Sequence, residues 1–186
     1  MNSIKQIEVI YNNRLVGRLA LTKAGLCAFE YSAEWLSSGF SISPFELPLR
    51  SGVFIAKPRP FEGGFGVFDD CLPDGWGLLI LDRYLQQKGI NPRTLTLLDR
   101  LALVGSTGRG ALEFRPDNSV VTRQDFADFE KLALEAEKIL ASDDYMGEGI
   151  EEFQDRGGSP GGARPKIFVR YNDKEWLVKF RAKRDS

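Results

Sequence analysis

The glycine-rich run at 157–166 is the feature of this chain that most restricts its local structure. It reads Gly-Gly-Ser-Pro-Gly-Gly-Ala-Arg-Pro-Lys. Glycines lack the Cβ atom that keeps a backbone away from a ligand, and successive free N–H groups can form an anion-binding concavity. Two strand-like segments follow, 166–171 and 175–180, around an Asn-Asp turn. Lys179 therefore lies on a strand that comes shortly after the glycines.

The order of these parts matters more than the glycines alone, since glycine runs also serve as plain linkers. In protein kinases a Gly-rich loop covers the phosphates of the nucleotide, and a lysine on a following strand grips them. Lys179 stands where that strand lysine is expected. The alternative for Lys179 is an edge-strand lysine that discourages aggregation, and the residues alone leave both interpretations open.

The composition favours a folded protein with an unevenly distributed charge. The chain has 186 residues, of which 42% are apolar, so it suits one medium domain or two small ones. The net charge of −1 argues against a polyanion binder that acts through bulk charge. The range 164–184 nevertheless holds eight basic and two acidic residues. Positive potential therefore collects beside the glycine run, although a solvated strand face gives the same pattern.

Several classes of site are excluded by what the chain lacks. It contains no histidine, which excludes Ser-His-Asp and Cys-His nucleophile systems and histidine-ligated metals. Its two cysteines, Cys27 and Cys71, have no C-x-x-C spacing, so neither a zinc cluster nor a disulfide framework is indicated. No secretory h-region or membrane span is recognisable in the pattern. We expect a cytoplasmic protein that contacts no membrane.

The first third of the chain predicts an antiparallel sheet. Residues 7–21 alternate in the manner of a hairpin, with Asn12 and Asn13 as a turn that tolerates positive φ. A third strand is predicted at 26–31. Residues 45–54 follow Pro44 and contain Pro48 and Gly52, which favours short edge pieces and turns.

Helices are predicted after this sheet. Asp74 can cap a helix that runs to about Gln87 and that Gly89 ends at its C′ position. Its leucines share a stripe, so this helix should be mostly buried. A second helical stretch is predicted from Pro92 through Leu103.

An Asp-Asn turn at 117–118 marks the best internal boundary, after a short strand predicted at 111–114. A long amphipathic helix beginning near Thr122 is predicted next. Its apolar residues recur at helical spacing and indicate a stripe that packs against a sheet. These residues are Phe126, Phe129, Ala133, Ala136, Ile139 and Leu140.

Three further motifs complete the pattern around the glycine run. They are Ser-Pro-Phe-Glu-Leu-Pro-Leu at 43–49, Phe-Asp-Asp-Cys-Leu-Pro-Asp-Gly-Trp at 68–76 and Gly-Ser-Thr-Gly-Arg-Gly-Ala-Leu at 105–112. With the glycine run and the Trp-Leu-Val-Lys-Phe strand, they span nearly the whole chain. In these motifs and their order the chain resembles the N-terminal part of HipA-family toxins, the serine/threonine kinases of bacterial type II toxin–antitoxin modules.

The resemblance implies an α+β fold with an antiparallel sheet and helices. It places a HipA N-terminal subdomain at 1–115 and the beginning of a kinase-like N-lobe at 116–186. It implies that ATP phosphates contact the loop and the strand lysine, through Gly161, Gly162, Ala163, Arg164, Pro165, Lys166 and Lys179.

Ser159 occupies the position of the loop serine that family members autophosphorylate. A phosphate there would add about −1.5 to −2 charges where the phosphates of ATP should bind, and repulsion would switch the site off. Without the resemblance, Ser159 would be interpreted as a small residue chosen for turn formation.

The sequence lacks two motifs that a complete kinase contains. No Asp-x-x-x-x-Asn catalytic loop and no Asp-Phe-Gly motif occur in it, so no catalytic residue is assigned. The resemblance implies ATP with Mg²⁺ as cofactor, but the magnesium ligands are missing from this sequence. We predict that this chain alone does not phosphorylate a substrate and binds ATP with at best about millimolar affinity.

Three functional hypotheses follow. The favoured one is a partial HipA-like kinase that carries the phosphate-binding loop without the catalytic lobe. The second is a free-standing regulatory or antitoxin-type module that pairs with a separate kinase lobe. The third, nucleic-acid binding through the basic C-terminal hairpin, is the least favoured, because the clustered charge is modest. The resemblance implies a HipB-like DNA-binding antitoxin as partner and an aminoacyl-tRNA synthetase as the class of substrate.

Overall fold

The computed structural model describes residues 3–119, 128–142, 145–147, 149–157, 162–172 and 174–180. In chain order the strands are β1 (Gln6–Tyr11), β2 (Arg14–Leu21), β3 (Cys27–Tyr31), β4 (Val53–Ile55), β5 (Glu113–Arg115), β6 (Lys166–Tyr171) and β7 (Lys174–Lys179). The helices are α1 (Ala33–Ser38), α2 (Gly66–Asp69), α3 (Gly75–Gln87), α4 (Leu97–Val104), α5 (Phe129–Ala141) and α6 (Gly149–Gly157), and Pro92–Thr94 forms a 3₁₀ turn.

The chain forms two compact units. Unit 1 comprises residues 1–72 and 94–119, and unit 2 comprises residues 73–93 and 120–186. The segment 73–93 thus groups with the C-terminal part of the chain, although helix α4 and strand β5 of unit 1 follow it in sequence. The domain boundary after residue 115 stays a prediction.

Unit 1 is built on an antiparallel sheet of five strands in the order β4-β3-β2-β1-β5. The β1–β2 turn has Asn12 at φ 47° and Asn13 at φ 60°, the pair of positive values that a tight hairpin turn requires. Helix α4 lies against β1, β2 and β5. The predicted α+β class and its antiparallel sheet are confirmed.

The core of unit 1 is rich in aromatic side chains. Phe29 on β3 is fully buried, and its ring centroid lies 4.9 Å from that of Tyr31 and 5.4 Å from that of Phe68. Alternate residues of β3 are buried, as the period of a strand requires, whereas the β1–β2 pairing shifts register between Val9 and Ile10, and both of these residues are buried. The predicted short pieces in 45–54 correspond to an isolated bridge between Ser43 and Leu47 and to strand β4.

Unit 2 packs three helices and one hairpin around a second core. The Trp76 and Phe153 rings meet edge to face with centroids 5.1 Å apart, which joins α3 to α6. Ile167 of β6 is fully buried in the same cluster. Gly89 has φ 73° directly after α3, and the Ile90 N–H donates to the Leu85 carbonyl at 2.9 Å, so the helix ends as predicted.

Helix α5 differs from its prediction. The predicted start at Thr122 and the stripe member Phe126 lie outside the described residues, and Asp128 caps the helix. Phe129 and Leu140 are 45% and 46% exposed, so their assignment to the buried stripe is wrong. Ala136 and Ile139 of the predicted stripe are buried, and Leu132 and Glu135, which the prediction left out, are buried as well.

Candidate anion-binding site

The two strands of the C-terminal hairpin place two lysines side by side. In the antiparallel register of β6 and β7, Lys166 is directly opposite Lys179. Directly opposite residues project from the same face of a pair of strands. Phe168 is opposite Leu177 two positions along, so these apolar side chains share that face with both ammonium groups.

The environment of Lys166 disfavours its charged form. Lys166 is 5% exposed, whereas Lys179 is exposed. Burial lowers the pKa of Lys166, and the positive charges of Lys179 and Arg164 lower it further, while the negative charge of Asp74 opposes the shift. Arg164 is held to the end of the hairpin by a bond from its Nε to the Phe180 carbonyl at 2.9 Å.

The last glycine of the run is bound through both its N–H and its carbonyl. The Gly162 N–H donates to Asp74 Oδ1 at 3.0 Å. The Gly162 carbonyl accepts from the Trp76 N–H at 3.1 Å and from Lys166 Nζ at 3.3 Å. The last residues of the motif at 68–76, Asp74 and Trp76, are therefore in direct contact with the glycine run within unit 2, although the two segments are far apart in sequence.

Asp74 serves the loop and not the helix that follows it. It occupies the N-cap position of α3, but its side chain makes no capping hydrogen bond. The predicted capping by this side chain is wrong, because the carboxylate is engaged by Gly162. The Gly162 carbonyl instead accepts from Trp76, an N–H in the first turn of α3.

Gly75 permits the close approach of α3 to the loop. Its φ is +45°, a value that L side chains rarely adopt. A Cβ atom at this position would lie 2.6 Å from the Gly162 carbonyl carbon and 2.8 Å from the Ala163 nitrogen. The Asp-Gly step was visible in the sequence, but nothing in it indicated which distant segment the missing side chain would admit.

The sequence-predicted site residues fall into two groups. Those described by the structure are the consecutive residues Gly162, Ala163, Arg164, Pro165 and Lys166, and Lys179 on the opposite strand. Gly161 and the autophosphorylation candidate Ser159 lie outside the described residues. The Pro165 carbonyl accepts from the Phe180 N–H at 2.9 Å, which fixes the loop to the far end of the hairpin.

Other buried charges in unit 2 support the fold. The Arg83 guanidinium donates to the Ile139 and Ser142 carbonyls, each at 2.8 Å, and so binds the C-terminal end of α5. Glu135 accepts from Tyr145 Oη at 2.6 Å and from Lys138 Nζ at 2.8 Å. Burial alone would raise the pKa of Glu135, but these hydrogen bonds outweigh it and lower the pKa. Neither residue belongs to a motif that points to its role.

In unit 1 the motif at 105–112 surrounds a carboxylate. Asp117 accepts from the backbone and side chain of both Ser106 and Ser119, and these bonds lower its pKa although burial opposes them. Gly105 has φ +51°, and a Cβ atom there would collide with the Asp117 carboxylate. This motif therefore builds a turn.

Two kinds of feature are absent from the described residues. No cluster of three or more histidine, cysteine, aspartate or glutamate side chains suited to a metal ion occurs within them. None of the helices that the structure describes is long and apolar enough to cross a membrane.

One match to a known family accompanies these observations. A family model described as the HipA N-terminal domain matches residues 7–115, which is more than half of the chain. The matched range includes the motifs at 43–49, 68–76 and 105–112 and ends before the glycine run. No curated protein matches the chain.

Proposed function

The chain belongs to the HipA N-terminal domain family, and from this premise we propose that it is part of a HipA-like serine/threonine kinase toxin whose unit 2 binds the phosphates of ATP. The observation that carries the proposal is the pairing of Lys166 with Lys179 beside the glycine run. Two adjacent ammonium groups repel each other, and an anion bound between them relieves that repulsion.

The face that carries the lysines also offers a surface for an apolar group. Leu177 is 43% exposed, and Phe168, its partner across the hairpin, is half-buried. Nucleotide sites combine apolar contacts for the base with a few placed polar groups. In the proposed complex the base lies on Phe168 and Leu177, and the phosphates reach Lys166 and Lys179.

ATP would be bound together with Mg²⁺, which neutralises phosphate charge and bridges its oxygens. The residues of this chain fit the phosphates through their cations, but the described carboxylates form no cluster that fits the metal. In the proposal, the catalytic aspartate and the magnesium ligands come from a further lobe of the kinase. A phosphate on Ser159 would compete with ATP for the same cations.

A second candidate is a binding module that pairs with a HipB-like antitoxin or a companion kinase lobe. Phe45 in the motif at 43–49 is 100% exposed. The loop that presents it is fixed, because the Leu47 carbonyl accepts from Tyr31 Oη at 2.6 Å and from Ser41 Oγ at 2.8 Å. An exposed aromatic side chain on an ordered loop suits an interface anchor. In either function, an aminoacyl-tRNA synthetase is the proposed class of substrate for the assembled kinase.

ATP titration of the purified chain tests the first proposal. We expect wild-type protein to bind ATP near millimolar concentration, a standard binding free energy of about −4 kcal/mol. Lys179→Gln should weaken binding by at least about fivefold, because it removes one of the paired charges. Lys174→Gln is the matched control, since Lys174 is an exposed lysine at the other end of β7. Equal binding by both variants, or no binding by wild type at 10 times that concentration (about 10 mM), would contradict the proposal.

A further inference from the structure

The loop end is bound by an acidic side chain at the place where an anion is proposed to bind. The Gly162 N–H is one of the backbone donors expected to face a phosphate, and it donates to Asp74 Oδ1 at 3.0 Å. Carboxylate and phosphate oxygens are interchangeable acceptors for such an N–H group. Asp74 therefore takes the hydrogen bond that an anionic ligand would take.

The charge of Asp74 acts on the same cations. Its negative charge favours the ionised form of Lys166, against the effects of Lys179 and Arg164. A carboxylate that accepts from the loop and offsets the charge of its lysines performs, within the chain, what a bound phosphate would perform.

The carbonyl of Gly162 has partners of its own. It accepts from the Trp76 N–H at 3.1 Å and from Lys166 Nζ at 3.3 Å, and neither bond involves the Asp74 side chain. The carbonyl of Gly162 would therefore remain attached to α3 if the carboxylate moved away. The Asp74 side chain is exposed, so it can rotate into solvent without opening the core.

We infer that Asp74 is an internal competitor for the anion site of unit 2, and that a phosphate group binds by displacing its carboxylate from the Gly162 N–H. The inference rests on the proposed function, because it concerns the same site. On this inference, Asp74 sets the affinity of the loop for a phosphate group. The wild-type carboxylate weakens phosphate binding by occupying the donor and by repelling the incoming charge.

Two substitutions separate this role from loop positioning. Asp74→Asn keeps an oxygen that can accept from Gly162 but removes the charge, and Asp74→Ala removes both. Competition predicts tighter anion binding in both variants, whereas a positioning role predicts weaker binding in the alanine variant. Glu137→Gln is the control, because it removes one negative charge from an exposed position on α5 in the same unit.

The test is a titration with inorganic tripolyphosphate, followed through the amide resonance of Gly162 and by calorimetry. We expect Asp74→Asn and Asp74→Ala to bind about five- to tenfold more tightly than wild type, and Glu137→Gln to stay within about twofold. In wild type the Gly162 resonance should shift on binding, as its acceptor changes from carboxylate to phosphate. Unfolding midpoints establish whether each variant folds. If Asp74→Ala does not fold, the binding of tripolyphosphate by Asp74→Asn alone decides the test.

The outcomes distinguish this inference from the proposed function. If wild type binds tripolyphosphate and Asp74→Asn binds it equally or more weakly, Asp74 is not a competitor, and phosphate binding by unit 2 stands. If none of the four proteins binds tripolyphosphate, both the inference and the proposed function are overturned.

Discussion

In unit 1 the buried carboxylate of Asp99 accepts from the Ile4 N–H at 2.9 Å and from the Thr96 N–H and hydroxyl, whereas in unit 2 the buried ammonium of Lys166 lies near two further cations. Burial raises the pKa of Asp99, but its hydrogen bonds outweigh burial and lower it. The pKa of Lys166 is lowered by burial and again by its neighbours. The folded state therefore favours the negative charge of Asp99 and disfavours the positive charge of Lys166.

This contrast separates charges that support the fold from charges that face a ligand. Asp117 in unit 1 and Glu135 in unit 2 behave like Asp99, because donors surround them and lower their pKa values. Lys166 differs from all three, since the charges nearest to it include two of its own sign. A residue kept in a charge state that folding disfavours is a candidate for function.

The largest expected effect concerns the core of unit 1. Phe29→Ala should lower the free energy of unfolding by about 3–5 kcal/mol, because it removes a fully buried ring that contacts Tyr31 and Phe68. Urea unfolding measures the loss. ATP binding per folded molecule should not change, because the proposed site lies in the other unit.

Phe45→Ala is the matched control for that experiment. The Phe45 ring is fully exposed, so its removal should change the free energy of unfolding by less than about 0.5 kcal/mol. A loss of similar size in both variants would show that burial does not distinguish the contributions of the two phenylalanines to stability. The assignment of the unit 1 core as the part that supports the fold would then be wrong.

A smaller effect is expected at Asp99. Asp99→Asn should cost about 1–2 kcal/mol at pH 7, because an amide retains one acceptor oxygen where the carboxylate uses two. The folded-state pKa of Asp99 is lowered, so its contribution is complete above the ordinary carboxyl pKa and is lost as the pH falls through the folded-state value. The gap between wild type and variant should therefore narrow below about pH 5.

Urea unfolding at a series of pH values measures this gap. Glu30→Gln, an exposed carboxylate on β3, is the control and should show little difference at any pH. A gap at Asp99 that stays constant down to the acid limit of folding would mean that its hydrogen bonds do not depend on charge.

The sequence predicted local structure better than it predicted contacts. The β1–β2 hairpin and the end of α3 follow from Asn12, Asn13 and Gly89, since each needs only the backbone preference of its own residue. The buried face of α5 was misjudged at Phe129 and Leu140, because periodicity gives the spacing of a stripe but not how far the buried face extends around the helix.

The candidate site shows the same limit. Both lysines were singled out from the sequence, but their pairing was not predicted, because it depends on a register in which β7 begins at Lys174 and not at Glu175. The contact of Asp74 with Gly162 joins residues 88 positions apart, and a local pattern could only interpret Asp74 as a helix cap. Long-range partners of polar groups depend on tertiary packing, which sequence periodicity does not contain.

The smallest expected effect has the opposite sign and tests the comparison most sharply. Lys166→Met keeps the length of the buried stem and removes the disfavoured charge, so it should raise the free energy of unfolding of unit 2 by about 0.5–1 kcal/mol. The folded-state pKa of Lys166 lies below the ordinary lysine value. At a pH between these two pKa values, the folded wild-type protein binds fewer protons than the unfolded protein, so its stability rises with pH in that range. The advantage of the methionine variant should therefore shrink towards alkaline pH.

Hydrogen exchange of the β6 and β7 amides measures this change within unit 2, and the exposed Lys174→Met is its control. The same Lys166→Met protein should bind tripolyphosphate more weakly than wild type, since it lacks one of the paired cations. A variant that is less stable than wild type at neutral pH would place Lys166 with Asp99 among the charges that support the fold. A variant that is more stable but binds the anion less would identify Lys166 as a residue whose charge serves binding at the expense of stability.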